Sequence, residues 1–225
     1  MKKALMEDTI KEITSTFKRF LSLLLIVLLG VGFFAGIRVA SPDMRNTLDK
    51  TFDEYEAMDI QVLSTLGITT KDIEELEKIE GVESVEASYL TDVIVSSEEK
   101  EEVVKLMALT TKMNKPKVIE GRLPENNKEC VVEPRFLLGT EHKIGDKIKI
   151  EAEDIQEEDG KNQPLLKEKE VTIVGTVHSP LYISSDRGTT KLGSGKINYY
   201  MYIPLENFDT DVRTVAYLTV DGAKE

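Results

Sequence analysis

Eighteen consecutive uncharged residues, Phe20 to Ile37, lie between Arg19 and Arg38, and Ser22 alone among them has a polar side chain. A helix of that length rises about 27 Å, close to the ~30 Å hydrocarbon core of a bilayer. The chain is therefore expected to be built into a membrane, with its span at residues 20–37. A cleavable secretion signal shares the basic start, but its apolar core is shorter and its exit has small residues in an A-x-A-like pattern. Here the best match, Val39-Ala40-Ser41, would put Pro42 directly after the cut, so a retained anchor is the better reading.

Charge orients the span. Lys2, Lys3, Lys11, Lys18 and Arg19 precede it, and basic flanks are held in the cytoplasm, so residues 1–19 are expected inside and residues 41–225 in the extracytoplasmic space of a cell membrane. The whole chain has 29 Lys/Arg and 41 Asp/Glu. Residues 1–40 hold six and three of these, which leaves 23 against 38, a net charge of −15, for residues 41–225. Such a surface repels nucleic acid, which is excluded as a partner. The single Cys130 cannot form an intramolecular disulfide and sits in the apolar run Cys130-Val131-Val132, so a buried structural thiol is expected. An outer domain of this size must hold itself together by its core.

Periodicity divides the rest. Met6, Ile10, Ile13, Phe17 and Phe20 share one helical face, a pattern suited to an interfacial helix over 1–19 in contact with lipid. Gly32 and Gly36 form a G-x-x-x-G that lets another membrane helix approach. Ser41-Pro42-Asp43 reads as an N-cap, a first-turn proline and an early acid, opening a stalk helix at 41–58 after a short break or as a kinked extension of the span. Its stripe of Met44, Leu48, Phe52, Tyr55 and Met58 needs an apolar partner, and Phe52 is expected in that contact.

From Asp59 the pattern is strand, helix, strand. Ile60 and Val62 alternate with polar neighbours; Thr69 or Thr70 caps a helix carrying Ile73, Leu76 and Ile79, and Gly81 ends it. Val85 to Val95 alternate as one long strand, Glu98 to Glu102 is a charged turn, and Val103 to Leu109 fits strand or helix. After Lys115-Pro116 strands are expected through Val118-Ile119, Glu129–Val132, 147–150, 171–177, 197–203 and 214–220, with an acidic insert over 151–168. The expected class is α+β: one membrane helix, then an outer domain over 59–225 with a mixed α+β part at 59–115 and a β-rich part at 116–225.

No residue pattern supports chemistry. Gly188 to Lys196 resembles a phosphate loop, but Ser194 rather than Lys follows Gly193, and a strand rather than a helix follows Lys196. The insert lacks the alternating ligands of a calcium loop. His142 and His178 lack zinc-site spacing, and no G-x-S-x-G occurs. No catalytic, cofactor-binding or metal-binding residue is therefore assigned, no cofactor is expected, and the chain is read as a non-enzyme.

Arg19-Phe20 leading into the apolar helix, Ile79-Glu80-Gly81-Val82-Glu83-Ser84-Val85, Gly121-Arg122-Leu123-Pro124 with Glu129, Ile144-Gly145-Asp146, and Val171-Thr172-Ile173-Val174-Gly175 occur in that order. This ordered set resembles the N-terminal part of FtsX-like ABC-transporter permeases with a MacB-like extracytoplasmic core domain. The resemblance implies a first membrane helix and a two-part, non-catalytic outer domain. It also implies an N-terminal segment ahead of at least three further membrane helices and of the cytoplasmic loop that engages the ATPase. Implied partners are a cytoplasmic ABC ATPase subunit, reached through other parts of the permease, and a second permease copy or half. The implied role is to couple ATP hydrolysis to outer movement, as export or mechanotransmission. The alternative is a single-pass anchored extracellular receptor or binding domain.

Orientation is directly testable. Ser97→Cys in a Cys130→Ser background is expected to react with an impermeant thiol reagent on intact cells; labelling only after lysis would reverse the topology.

Overall fold

The computed structural model describes residues 6, 11, 14–96, 101–156 and 162–223. Most of the amphipathic face expected over 1–19, most of the turn at 98–102 and the middle of the acidic insert lie outside them. The chain divides into two compact units between Thr51 and Phe52.

Helix α1 runs unbroken from Phe17 to Glu54 and includes Pro42, so the expected N-cap at Ser41 does not form. Proline removes one hydrogen bond, to the Arg38 carbonyl, whereas ending the helix there would leave up to eight backbone groups without intrahelical partners. Among the described residues this is the one helix long and apolar enough to cross a membrane, and its apolar side chains from Leu21 to Ile37 are exposed.

Among the described residues, the second unit holds two main sheets and a two-stranded ribbon. In the smaller, β1 (Ile60–Ile68), β12 (Arg213–Val220) and β2 (Val82–Ser88) lie in the order β1-β12-β2, all antiparallel. Helix α2 (Thr70–Glu77) connects β1 to β2 and opens on a complete capping box: the Thr69 hydroxyl accepts from the Asp72 amide while the Asp72 carboxylate accepts from the Thr69 amide. Gly81, at φ +89°, makes the turn into β2. Ile73 and Leu76 pack on a core of Ile68, Val85, Ala216 and Leu218. Because the C-terminal strand lies between β1 and β2, residues 59–115 and 116–225 share this sheet.

The long strand expected from Val85 to Val95 is two strands in different sheets. β2 ends at Ser88 and β3 spans Leu90–Ser96 in the larger sheet. At the break the Tyr89 ring stacks on Phe208 at 4.6 Å. Beyond it the Leu90 amide donates to the Thr214 hydroxyl, which in turn donates to the Leu90 carbonyl.

The larger sheet contains β3, β4 (Glu101–Ala108), β5 (Lys117–Gly121), β6 (Glu129–Val132), β7 (Lys147–Glu151), β10 (Glu170–His178) and β11 (Tyr199–Ile203). A two-residue ribbon, β8 (Ile155–Gln156) with β9 (Asn162–Gln163), stands apart from it. The ambiguous 103–109 segment is strand β4. β7 pairs with β3 on one side and with β10 on the other, so β10-β6-β11-β4-β3-β7 closes into a six-stranded ring, and β5 is added outside it. Closure removes sheet edges and produces an interior that side chains alone can fill. Each strand of the ring contributes two or more inward residues: Val93 and Val95, Val104, Leu106 and Ala108, Cys130 and Val132, Ile148 and Ile150, Val171 and Ile173, Met201 and Ile203. Phe136, from a short helix α3 (Pro134–Thr140) not anticipated from the sequence, joins this core together with Leu165, Leu166 and Phe208.

Outward residues of β4, β6, β10 and β11, including Met107, Val131, Val177, Tyr200 and Tyr202, form a second cluster. It is covered by residues 179–187. Leu181 and Tyr182 pack on it, with the Tyr182 ring stacked on Tyr200 at 5.1 Å. Burial pushes both phenols up to about 12. The segment ends at Arg187, whose Nε donates to Oε2 of Glu133 at 2.9 Å and whose Nη2 lies 2.7 Å from the same oxygen. These two side chains are 7% and 2% exposed, and burial outweighs the guanidinium to raise the Glu133 carboxyl above its usual range.

Arg122 makes a bidentate pair with Glu129, both contacts 2.7 Å, and the Glu125 amide adds a third donor at 2.8 Å. Led by the Arg122 hydrogen bond, these hold Glu129 at about 2 against an ordinary 4.5. A lowered folded-state value contributes stability above the unfolded value, lost as pH falls through the folded one. Stability is therefore expected to decline between about pH 4.5 and about pH 2, and Glu129→Gln to flatten that decline and to weaken the fold at pH 7. Chemical unfolding in detergent across this range measures it; an unchanged pH profile in the variant would refute it.

Candidate functional site: the joint at the end of the long helix

The spacing of Tyr55 and Met58 continues the stripe of α1, yet the helix stops at Glu54. It ends in a Schellman arrangement, with the Ala57 amide donating to the Phe52 carbonyl at 2.9 Å and the Glu56 amide to Asp53 at 3.2 Å. Glu56 takes the left-handed position at φ 49°, where glycine is usual. A side chain there costs about 1 kcal/mol, so other contacts must favour this turn.

They come from residues 110–117. The Asn114 amide donates to the Glu56 carbonyl at 2.9 Å, and the Lys115 amide to the Tyr55 carbonyl at 3.1 Å. The Met58 amide donates to Oδ1 of Asn114 at 3.1 Å. Asn114 is 2% exposed and also left-handed, at φ 51°. The two turns thus form a short ladder whose register is set by backbone hydrogen bonds.

The loop bearing Asn114 is itself held by one carboxylate. Glu86, on β2, accepts from the amides of Thr111 at 2.7 Å, Lys112 at 3.1 Å and Met113 at 2.7 Å. An ionised acceptor strengthens such bonds, and three convergent amides define the loop's shape. Beneath it Met58, Leu90 and Leu181 pack on Met113, Val215 and Tyr217. Outside, Lys115 pairs with Glu56 at 2.6 Å and Lys117 with Glu54 at 2.7 Å, and the latter hydrogen bond raises the lysine above its ordinary value. These pairs are about half exposed and screened, so they orient the turn more than they hold it.

The expected stripe is thereby redistributed. Met44 is 66% exposed and Phe52 38% exposed, while Met58, outside the helix, makes the apolar contact. The anticipated Phe52 contact belongs to Met58. Glu86 and Asn114 were not singled out in the sequence; Asn is over-represented at left-handed turn positions, which was the available signal.

The residues weighed for chemistry are dispersed. Cys130 is inside the barrel, where burial raises its thiol. His142 stacks on Phe136 at 5.7 Å with Nδ1 3.7 Å from Asp146, and His178 ends β10. Residues 188–196 close on themselves through a Thr189–Lys196 bridge and lead into strand β11. Among the described residues, no group of three or more His, Cys, Asp or Glu side chains could hold a metal ion.

No family model matches the chain, and no curated protein matches it. Among solved structures, it is similar to the extracellular domain of the noncanonic ABC-type transporter YknZ from Gram-positive bacteria. The TM-score is 0.44 at 15% identity, over 71% of this chain and 76% of that one. It is also similar to the periplasmic region of MacB from Actinobacillus actinomycetemcomitans, with a TM-score of 0.41 at 12% identity, over 73% of this chain and 68% of that one.

Asn114→Ala removes the acceptor for a half-buried amide and keeps the left-handed strain, at a cost of about 2–3 kcal/mol. Asn114→Gly loses the acceptor but relieves the strain, so roughly half that loss is expected. Chemical unfolding of the two variants in detergent should give this order, and equal losses would show that the backbone turn contributes nothing.

Proposed function

We propose that this chain supplies the first membrane helix and outer domain of an FtsX-like ABC permease, and that its outer unit takes up movement driven by a cytoplasmic ATPase. The observation that carries the mechanical part is the joint: α1 ends in a turn whose carbonyls and amide are bonded to Asn114 and Lys115. A force arriving along the helix meets backbone hydrogen bonds and a packed methionine rather than a loose linker. The family reading rests on the ordered residues that carry the resemblance. Several of these meet in space, since Gly121 pairs with Gly175, Arg122 with Glu129, and Gly145 and Asp146 with Ile173.

In this reading residues 20–37 cross the cell membrane with residues 1–19 in the cytoplasm, supported by the basic flank and the apolar span. The outer unit performs no catalysis. Its partners are the ATPase, engaged through other parts of the permease, and a second permease copy or half.

The test is Met58→Asp in the assembled permease with its ATPase in membranes. A charge placed against Met113, Val215 and Tyr217 goes unpaired in an apolar contact, a change that costs several kcal/mol. ATP hydrolysis is expected to continue while transport or signalling falls at least tenfold, with normal membrane insertion because the span is untouched. Wild-type coupling in this variant would sink the proposal. Loss of ligand binding with no dependence on any ATPase would establish an anchored receptor instead.

A further inference from the structure

We infer that residues 179–187 form a strap that couples the helix-end joint to the buried Glu133–Arg187 pair, so that the joint and this latch change state together. The inference rests on the coupling role proposed above and adds the path inside the outer unit.

Two observations converge on Leu181. It packs on Met113, Val215 and Tyr217, the cluster that also receives Met58, and equally on the outer barrel cluster containing Tyr200 and Tyr202. Along the strap, each end is fastened differently. At the root the Ser179 hydroxyl is 2.6 Å from the Tyr202 hydroxyl, and the Ser179 amide donates to the Tyr200 hydroxyl at 3.2 Å. At the far end Arg187 lies over the rings of Tyr182 and Tyr200, its guanidinium carbon 5.2 and 5.1 Å from their centroids, and donates to the Ser184 carbonyl. Between them Ile183 is 63% exposed, and Ser184, Ser185 and Asp186 are exposed too. The strap is therefore held at its root, at Leu181 with Tyr182, and at Arg187, with an exposed hydrogen bond between, from Arg135 to the Ser185 carbonyl at 3.2 Å.

The latch suits a part that releases. Both Arg187 contacts fall on Oε2 of Glu133, and Oε1 of the same carboxylate is buried with no hydrogen-bond partner. A buried ion pair satisfied on one oxygen is costly to assemble and holds only while Tyr182 and Tyr200 exclude water from it. Withdrawal of Leu181 loosens Tyr182, its immediate neighbour, and admits water to the pair. Linkage requires the converse as well: releasing Arg187 must loosen the joint by the same free energy.

Hydrogen exchange on the full chain in lipid nanodiscs tests both directions. Arg187→Met is expected to speed exchange about five- to tenfold over 181–187 and, reciprocally, at the Asn114 and Lys115 amides that bond α1's final turn. In a Leu181→Ala background, where residues 114–115 already exchange faster, Arg187→Met is expected to add nothing further there while still speeding 181–187. Acceleration confined to 181–187 in Arg187→Met would overturn the strap. Should Arg187→Met instead unfold the barrel, with β6 and β11 exchanging freely, the single Leu181→Ala variant decides. It must quicken both 181–187 and residues 114–115 while β6 and β11 remain protected, and failure to do so overturns the inference. Because Met58→Asp reads coupling to the ATPase independently, a null exchange result removes the strap and leaves the permease reading to its own test.

Discussion

Strand β10 changes partner halfway along, and the larger sheet depends on that change. Glu170 to Thr172 pair with β7 and close the barrel, while Gly175 to His178 pair with β5 outside it. The switch is possible because two glycines face each other at the crossing. A Cβ on Gly175 would lie 2.6 Å from the Glu120 carbonyl oxygen, and one on Gly121 would meet the Val174 carbonyl. Real side chains do not tolerate such distances, so the backbones can approach only if both positions lack them. The turn at Gly145-Asp146 is bonded to the same strand, its Gly145 amide on the Ile173 carbonyl and the Ile173 amide on the Asp146 carbonyl. Motifs far apart in the chain thus meet because they all serve one strand.

What the sequence disclosed follows the same physics. Alternation is clear in β7 and the first half of β10 because a closed barrel buries one face and turns the other outward, and Ile148 with Ile150 or Val171 with Ile173 show it in four residues, whereas β11 and β12 are buried on both faces. A helix cap at Thr69 or Thr70 was legible because capping is local, and the structure places it at Thr69. Tyr89 was not legible as a break, since the period of two continues through it and its partners there are more than a hundred residues away: Phe208 stacks on it, and Thr214 bonds the neighbouring Leu90. Pro42 left two readings open, a helix start after a break or an extension of the span, and the structure shows the extension. Proline at a helix start is a local preference, and the continuity of a 38-residue helix outweighs it. Helix α3 is short, and Pro134 at its first position was its one clear sign.

The joint was the least legible part, and it carries the functional reading. Its hydrogen bonds connect Tyr55–Met58 with Asn114–Lys115, and its shape depends on Glu86, so no window of sequence contains it. Periodicity correctly placed Met58 on an apolar stripe but assigned the contact to Phe52, because it extended the helix past the residue where Glu56 reverses the chain.

Under the proposed function, that reversal makes a helix end, rather than a helix face, the place where force would enter this unit. A face docked by side chains can slide, since apolar contacts are non-directional and tolerate small shifts. A turn bonded through the carbonyls of Tyr55 and Glu56 and the amide of Met58 cannot slide without breaking directional bonds, and it sits directly over the Met113, Val215 and Tyr217 cluster. The small sheet behind that cluster is fixed in turn by β12, paired on both sides. Under that proposal, displacement entering at Met58 would meet two resistances of different kinds. One is the laddered sheet, paired strand to strand; the other is Leu181, packed on both clusters with its amide on the Ser179 hydroxyl at 3.2 Å, on a segment fastened at few points. The softer path runs through Leu181, and it leads to the buried pair of Glu133 and Arg187.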